Sequence, residues 1–191
     1  MKPETGTRMP AEWEPQEAVW FSWPTNPATW PGRLESIHRR FAELIAICTR
    51  FQKVRLICVA EAQESARRCL LEARADPEAI EWFDIPTNDV WCRDHGPTFV
   101  FFHGRLSIVD WHYNAWGGKF PPWDLDDAVP SQIAESLSIP RQRMDLFCEG
   151  GALEVDGEGR LLTTESVLLN PNRNARQDRS AVEERLKAAL G

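Results

Sequence analysis

Along the chain, apolar residues switch between a spacing suited to strands and a spacing suited to helices, and the switches divide the sequence into short elements. The opening 32 residues, rich in proline and tryptophan, carry no helical period, and only Ala18 to Ser22 reads as a short strand there. From 33 to 51, Leu34, Ile37, Phe41, Leu44, Ile45 and Phe51 fall on one stripe, which predicts an amphipathic helix. A buried strand from Val54 to Val59, a helix from Glu61 to Arg74 and a strand from Ile80 to Ile85 come next. Thr98 to Phe102 and Leu106 to Trp111 flank His103, Gly104 and Arg105, the pattern of a hairpin with a glycine turn. Residues 126–138 predict a helix ended near Pro140, and Met144 to Phe147 a strand. Ala152 to Val155 and Arg160 to Thr164 surround an Asp-Gly-Glu-Gly turn. In the last helix Ser180 is the expected N-cap, with Glu183 completing a capping box and Gly191 in the C-cap position.

A succession of helix, short strand, acidic loop and hairpin begins at residue 61 and again at residue 126. The acidic loop carries Asp89 and Asp94 in the first copy and Glu149, Gly150 and Gly151 in the second. Units arranged about an axis would point these carboxylates at one another from equivalent strand ends. Repeat folds need about three units or more to bury a continuous core, so two units and a fragment suggest part of a ring. The expectation is an α/β chain forming a single domain over 1–191.

Composition narrows what such a chain could do. The 191 residues include 42% hydrophobic positions, enough for a core, and carry a net charge of -7. With no long basic run, nucleic acid is an unsuitable partner. No apolar stretch approaches the roughly 20 residues of a membrane span, and the N-terminus has no apolar leader segment, so a cytoplasmic location is expected. Cysteines at 48, 58, 69, 92 and 148 form no CxxC pair, which argues against a disulfide framework or a structural zinc site.

The most chemically loaded stretch is NDVWCRDHGP, residues 88–97. Asp89, Asp94 and the more distant Glu149 offer only acceptors, suited to a planar multi-donor cation such as guanidinium. Trp91 could lay its ring along such a ligand. The plainer reading makes Asp89 a turn cap, pairs Asp94 with an arginine and puts Trp91 in the core. Cys92 has Arg93 and His95 as neighbours that would favour a thiolate. In an extended segment, however, side chains alternate, so Cys92 would face away from Trp91. A metal held by Asp94, His95, Asp110 and His112 matches no recognised ligand spacing. Gly117, Gly118 and Lys119 fit no phosphate loop, and the glycines read better as points of close backbone approach.

Several segments together resemble the agmatine deiminase group of the bacterial-type peptidylarginine deiminase family: MPAEWEPQEAVWFSWP (9–24), NDVWCRDHGPTFV (88–100), YNAWGGK (113–119), EGGALEVDGEGRLLTTE (149–165) and LLNPNRN (168–174). The resemblance covers nearly the whole chain but only about the first half of the family's length. It implies a pentein-type α/β propeller of ββαβ units, of which about half of the five-unit ring is present. It also implies that Asp94 holds the substrate guanidinium, that Trp91 and Trp116 line the substrate channel, and that Glu149 is a further acid at the reacting end. Asp89 would be a structural partner. The implied reaction is hydrolytic deimination of a small guanidino substrate such as agmatine, through a cysteine thiolate, with no metal or organic cofactor.

The departure from the family lies beyond these motifs. The family's histidine sits in a GHxD segment and its nucleophilic cysteine in a late glycine-rich segment, and neither occurs in these 191 residues. Neither Cys92 nor Cys148 occupies the nucleophile's position. The expectation is therefore that these residues do not turn over alone and belong with a C-terminal half or a partner copy, as in a split subunit or a truncated reading frame. A non-catalytic guanidino- or amine-binding module, and a deiminase acting on arginine or peptidyl-arginine, are the rival readings.

Overall fold

The computed structural model describes residues 6–175 and 177–191. In chain order the elements are β1 (Thr7–Arg8), β2 (Ala18–Ser22), α1 (Leu34–Cys48), β3 (Lys53–Ile57), α2 (Ala60–Glu72), β4 (Ile80–Phe83) and the single turn α3 (Cys92–His95). They continue with β5 (Thr98–Phe102), β6 (Arg105–His112), α4 (Ala115–Gly118), α5 (Asp124–Leu137), β7 (Arg141–Phe147), β8 (Glu154–Val155), β9 (Leu161–Leu162), α6 (Glu165–Leu168), α7 (Pro171–Asn174) and α8 (Arg179–Leu190). The chain packs as two compact units, Pro15–Cys92 and the described residues up to Glu14 together with Arg93–Gly191.

In the unit Pro15–Cys92, β2, β3 and β4 pair in parallel, with Val19 opposite Val54 and Leu56 opposite Trp82. Parallel neighbours cannot be joined by a tight turn, and α1 and α2 supply the crossovers. The sheet is covered by a cluster including Trp23, Ala42, Ile45, Val54, Leu56 and Ala66. The helix expected over 33–51 forms, but its buried face differs from the predicted stripe. Ala42, Ile45 and Ala46 face the core, while Leu44 is 46% and Phe51 81% exposed. The physical reason is the period: Ala42, Ile45, Ala46 and Thr49 make an i, i+3, i+4, i+7 stripe, and its alanines let the helix approach the strands closely. Phe51 lies beyond the end of α1. His38 stacks on Trp23, ring centroids 5.1 Å apart, with its Nε2 2.7 Å from the Pro24 carbonyl.

The other unit is built on a sheet of order β1-β5-β6-β7. β5 and β6 form the predicted hairpin, with His103 and Gly104 at φ 48° and 74° as its two-residue turn. Positive φ at both central positions gives the turn a twist that matches the strands. β6 and β7 run parallel, and α5 is the crossover between them. The core joins Val100, Val109, Trp111 and Leu146 with Leu186 and Leu190 of α8. Asp178, not Ser180, caps α8: its side chain accepts from the Ala181 N–H at 2.8 Å. An aspartate carboxylate two residues earlier both satisfies an orphan donor and complements the positive end of the helix. The hairpin expected at 152–164 is present with only two residues in each strand.

A charged network centred on the buried Asp110 joins β6, β7 and α5. Asp110 is fully buried and accepts from both Arg141 and Arg143, the latter at 2.6 Å. Arg143 also grips both oxygens of Asp127, at 2.8 and 2.6 Å, and donates to His112 Nδ1 at 2.5 Å. Asp110→Ala, which removes the shared carboxylate while Arg143 keeps Asp127 and both arginines keep access to water, is expected to destabilise this unit by about 1–2 kcal/mol in urea unfolding; an unchanged midpoint would contradict it.

Candidate functional site

The stretch expected to run extended through Cys92 closes instead into the turn α3. The Cys92 N–H donates to the Val90 carbonyl at 2.8 Å, which tightens the chain before Gly96 and Pro97 end it. Simple alternation of side chains therefore fails here. The Cys92 thiol nevertheless has a backbone acceptor, the Trp20 carbonyl at 3.2 Å. In the same unit Asp89 accepts from Thr29 Oγ1 at 3.0 Å and from the Val90 N–H at 2.8 Å. Trp91 is 42% exposed and lies beside Trp30, ring centroids 6.3 Å apart.

The unit containing Arg93–Gly191 has a cleft of about 440 Å³, bordered by Asp94, Trp116, Glu149, Gly151, Leu162 and Arg173 among others. Of the sequence-predicted residues, the structure brings Asp94, Trp116 and Glu149 together here. Asp94 Oδ2 accepts from the indole Nε1 of Trp116 at 3.1 Å, and Oδ1 from the Gly151 N–H at 3.2 Å. Each oxygen thus keeps one acceptor direction open. Burial pushes the Asp94 carboxyl above the ordinary aspartate range, and the nearby Glu149 carboxylate adds to the rise. The N–H groups of Trp116 and Gly151 and the Arg93 charge oppose it without overcoming it.

Local backbone geometry delivers these donors. Ala115 and Trp116 have left-handed φ of 47° and 59°, a conformation that costs a bulky residue about 1–3 kcal/mol. Asn114 holds the strained turn, accepting from the Gly117 N–H at 2.8 Å through its side chain and from the Gly118 N–H at 2.6 Å through its carbonyl. The strain turns the indole N–H onto Asp94. At the other wall, a Cβ on Gly150 would lie 2.4 Å from the Arg93 carbonyl oxygen, and one on Gly151 would lie 2.2 Å from Asp94 Oδ1. The glycine pair lets the backbone donor reach the carboxylate.

Glu149, at the end of β7, carries a partner that sequence reasoning missed. Arg173 Nε donates to its two oxygens at 2.8 and 3.0 Å, and Nη2 lies 2.7 Å from Oε1, with both side chains under a tenth exposed. The LLNPNRN motif flags the segment, but nothing in its spacing ties position 173 to position 149. The side chains best suited to attack or proton transfer lie elsewhere. His95 is buried edge-on to Tyr113, and His112 is engaged by Arg143. Burial pushes the Cys58 thiol up to about 12 and raises that of Cys148, where Glu149 adds to the rise and Arg173 opposes it. Burial likewise raises Cys48 and Cys69. Among the described residues, no helix is long and apolar enough to cross a membrane.

Comparison with known proteins places this geometry in context. A family model described as Porphyromonas-type peptidyl-arginine deiminase matches residues 8–191. The chain is 42% identical to an agmatine deiminase of Pseudomonas aeruginosa over 191 residues, 97% of this chain and 50% of the relative. It is 39% identical to an agmatine deiminase of Medicago truncatula, again over 97% of this chain but 52% of the relative. Among solved structures, an agmatine deiminase of Enterococcus faecalis superposes with a TM-score of 0.87 at 36% identity, and one of C. jejuni with substrate bound with 0.84 at 32%. These cover 97% and 95% of this chain but 52% of each solved chain. The chain thus has the α/β pentein propeller fold expected from its motifs, and it spans about half the length of the curated relatives it matches.

The thiol environments predict labelling behaviour. Brief alkylation with iodoacetamide at about pH 8 should leave Cys58 and Cys148 unmodified in the folded chain and modify both in urea, as read by peptide mass mapping. Alkylation of folded Cys148 at the rate of a free thiol would show that the pocket around it is open.

Proposed function

Because the chain belongs to the Porphyromonas-type peptidyl-arginine deiminase family, we propose that it forms the guanidinium-holding part of an agmatine deiminase-like hydrolase. In the proposed reaction agmatine and water give N-carbamoylputrescine and ammonia, a step towards putrescine. The reading draws on relatives of known name and on one observation above the others: both oxygens of Asp94 are oriented by protein donors, yet each retains an acceptor direction. Those two directions suit the paired N–H groups of a guanidinium, which would be bound in bidentate fashion. Trp116 orients Asp94, and Glu149 adds a second negative charge at the reacting end. The motif resemblance assigns Trp91 to the substrate channel, and within its own unit Asp89 accepts from Thr29 Oγ1.

Chemistry on such a bound ligand needs a thiolate to attack the guanidinium carbon and a group to hand a proton to the departing ammonia. Water then attacks the resulting thiouronium carbon and releases the ureido product and the thiol. The raised thiols of Cys48, Cys58, Cys69 and Cys148 are poorly suited to the first role. The family pattern assigns the nucleophile to a late glycine-rich segment and the histidine to a GHxD segment, so in this reading the residues of the cleft supply binding rather than turnover.

Calorimetric titration with agmatine tests this. Saturable binding is expected, weaker by about tenfold or more in Asp94→Asn, the loss of a charge-assisted bidentate pair. Affinity should fall as pH is lowered through a midpoint above that of an ordinary aspartate, because protonation of the raised Asp94 carboxyl removes the charge that holds the cation. Absence of binding, or equal binding by Asp94→Asn, would sink the proposal. Stronger binding of arginine or an arginyl peptide than of agmatine would move it to those substrates.

A further inference from the structure

We infer that Arg173 is a positioning residue: its forked ion pair fixes the orientation of Glu149 beside Asp94, leaving Asp94 as the carboxylate that receives the ligand. The inference rests on the reading of the cleft as a guanidinium site and assigns its two acids different tasks.

Three features of the structure carry it. The Arg173–Glu149 contact uses the arginine's Nε and Nη2 against both carboxylate oxygens, while Nη1 is taken by Asn172 Oδ1 at 3.1 Å, so the guanidinium has no freedom to swing. A fork of this kind orients as well as attracts. Next, the turn bearing Arg173 is pinned to the strand end bearing Glu149 by a neighbour. Asn174 donates to the Phe147 and Leu168 carbonyls, both at 2.9 Å, and accepts from the Phe147 N–H at 3.0 Å. Both partners are therefore placed before they pair. Finally, the same turn buttresses the loop that serves Asp94. The Asn172 carbonyl accepts from Asn114 Nδ2 at 3.0 Å, and a Cβ on Gly117 would lie 2.1 Å from the Asn172 side chain. One five-residue turn thus sets Glu149 directly and supports the Trp116 loop.

The titratable groups around the pair are Asp94 and Arg93 from α3, Glu154 from β8, and the buried, neutral Cys148 thiol. Arg93 is engaged by Glu12 and Glu154, which leaves Arg173 as the cation paired with Glu149. A plug would have the same charge but the opposite effect. If Arg173 merely occupied the place of the ligand, its removal would tighten binding.

The test is a double-mutant cycle on agmatine affinity with Arg173→Gln, Glu149→Gln and the pair, alongside Arg173→Lys. Arg173→Gln should weaken binding about tenfold or more in the parent, yet change it less than about twofold in the Glu149→Gln background, the coupling expected of a residue acting through another. Arg173→Lys, which restores charge without the fork, should fall between, and it carries the comparison should Arg173→Gln fail to fold. Additive effects, tighter binding on removal of Arg173, or full parental affinity in Arg173→Lys would each overturn the inference while leaving Asp94 and agmatine standing. A ligand-free measurement separates the two readings. Amide exchange at the Gly151 N–H, two residues after Glu149, should quicken about tenfold in Arg173→Gln as the local opening becomes easier. Should agmatine bind no variant, the proposed function falls and this exchange decides alone: an unchanged Gly151 rate overturns the role given to Arg173.

Discussion

Two carboxylates cannot stand ionised in one poorly hydrated cleft unless each is given its own donors. Desolvation penalises both charges, and their mutual repulsion adds to the penalty, so an unaided pair would hold a proton between them. Asp94 receives an indole N–H and a backbone N–H, and Glu149 receives an arginine. Each donor makes a demand on the backbone. The indole requires left-handed Ala115 and Trp116, the amide requires two glycines without Cβ atoms, and the arginine requires the turn from Asn170 to Asn174. Much of the irregular structure of this unit exists to meet those demands.

The same constraint explains which parts could be read in the sequence. Elements governed by period were legible: β2 over Ala18–Ser22, the β5 to β6 hairpin and the helices all stand near their predicted places. The acids Asp94 and Glu149 were legible as candidates because they stand in the acidic loops of the two repeated units and in the family's motifs. Misreadings arose where one polar contact decides geometry. Asp178 rather than Ser180 caps α8 because its side chain reaches the Ala181 N–H, and a two-residue choice of that kind leaves no trace in the hydrophobic pattern. Cys92 enters a helical turn through a single backbone bond to Val90, which upset the alternation argument. Arg173 was invisible for a different reason: its partner lies 24 residues away across the β8–β9 hairpin and α6. On α1, Ala42 and Ala46 rather than Leu44 share the core face with Ile45, because close helix-to-sheet approach favours small side chains over large ones at the contact.

Fully satisfied charge also anchors the scaffold behind the cleft. Asp110, Arg141, Arg143, Asp127 and His112 join β6, β7 and the start of α5 just where the β6–β7 register shifts between Asp110 and His112. Beyond that shift the two strands run on to different duties, β6 into the loop bearing Trp116 and β7 into Glu149. A buried network of this sort is weak evidence for stability, since apolar side chains of similar volume can do as well. What it can give here is a fixed register, and a one-residue slip of either strand would turn its side chains to the opposite face and separate the loops that meet at the cleft.

The contrast between the two networks marks the site. Around Asp110 the acids and arginines close on one another, and around Glu149 the arginine fork closes on a single carboxylate. Asp94 is the exception, held by two neutral N–H groups that orient it without neutralising it. Its charge is raised in energy by burial and by Glu149, and a cation arriving from outside recovers part of that cost. A carboxylate kept oriented, partly desolvated and short of positive charge is costly to the fold, and this is the condition under which a guanidinium gains most by binding.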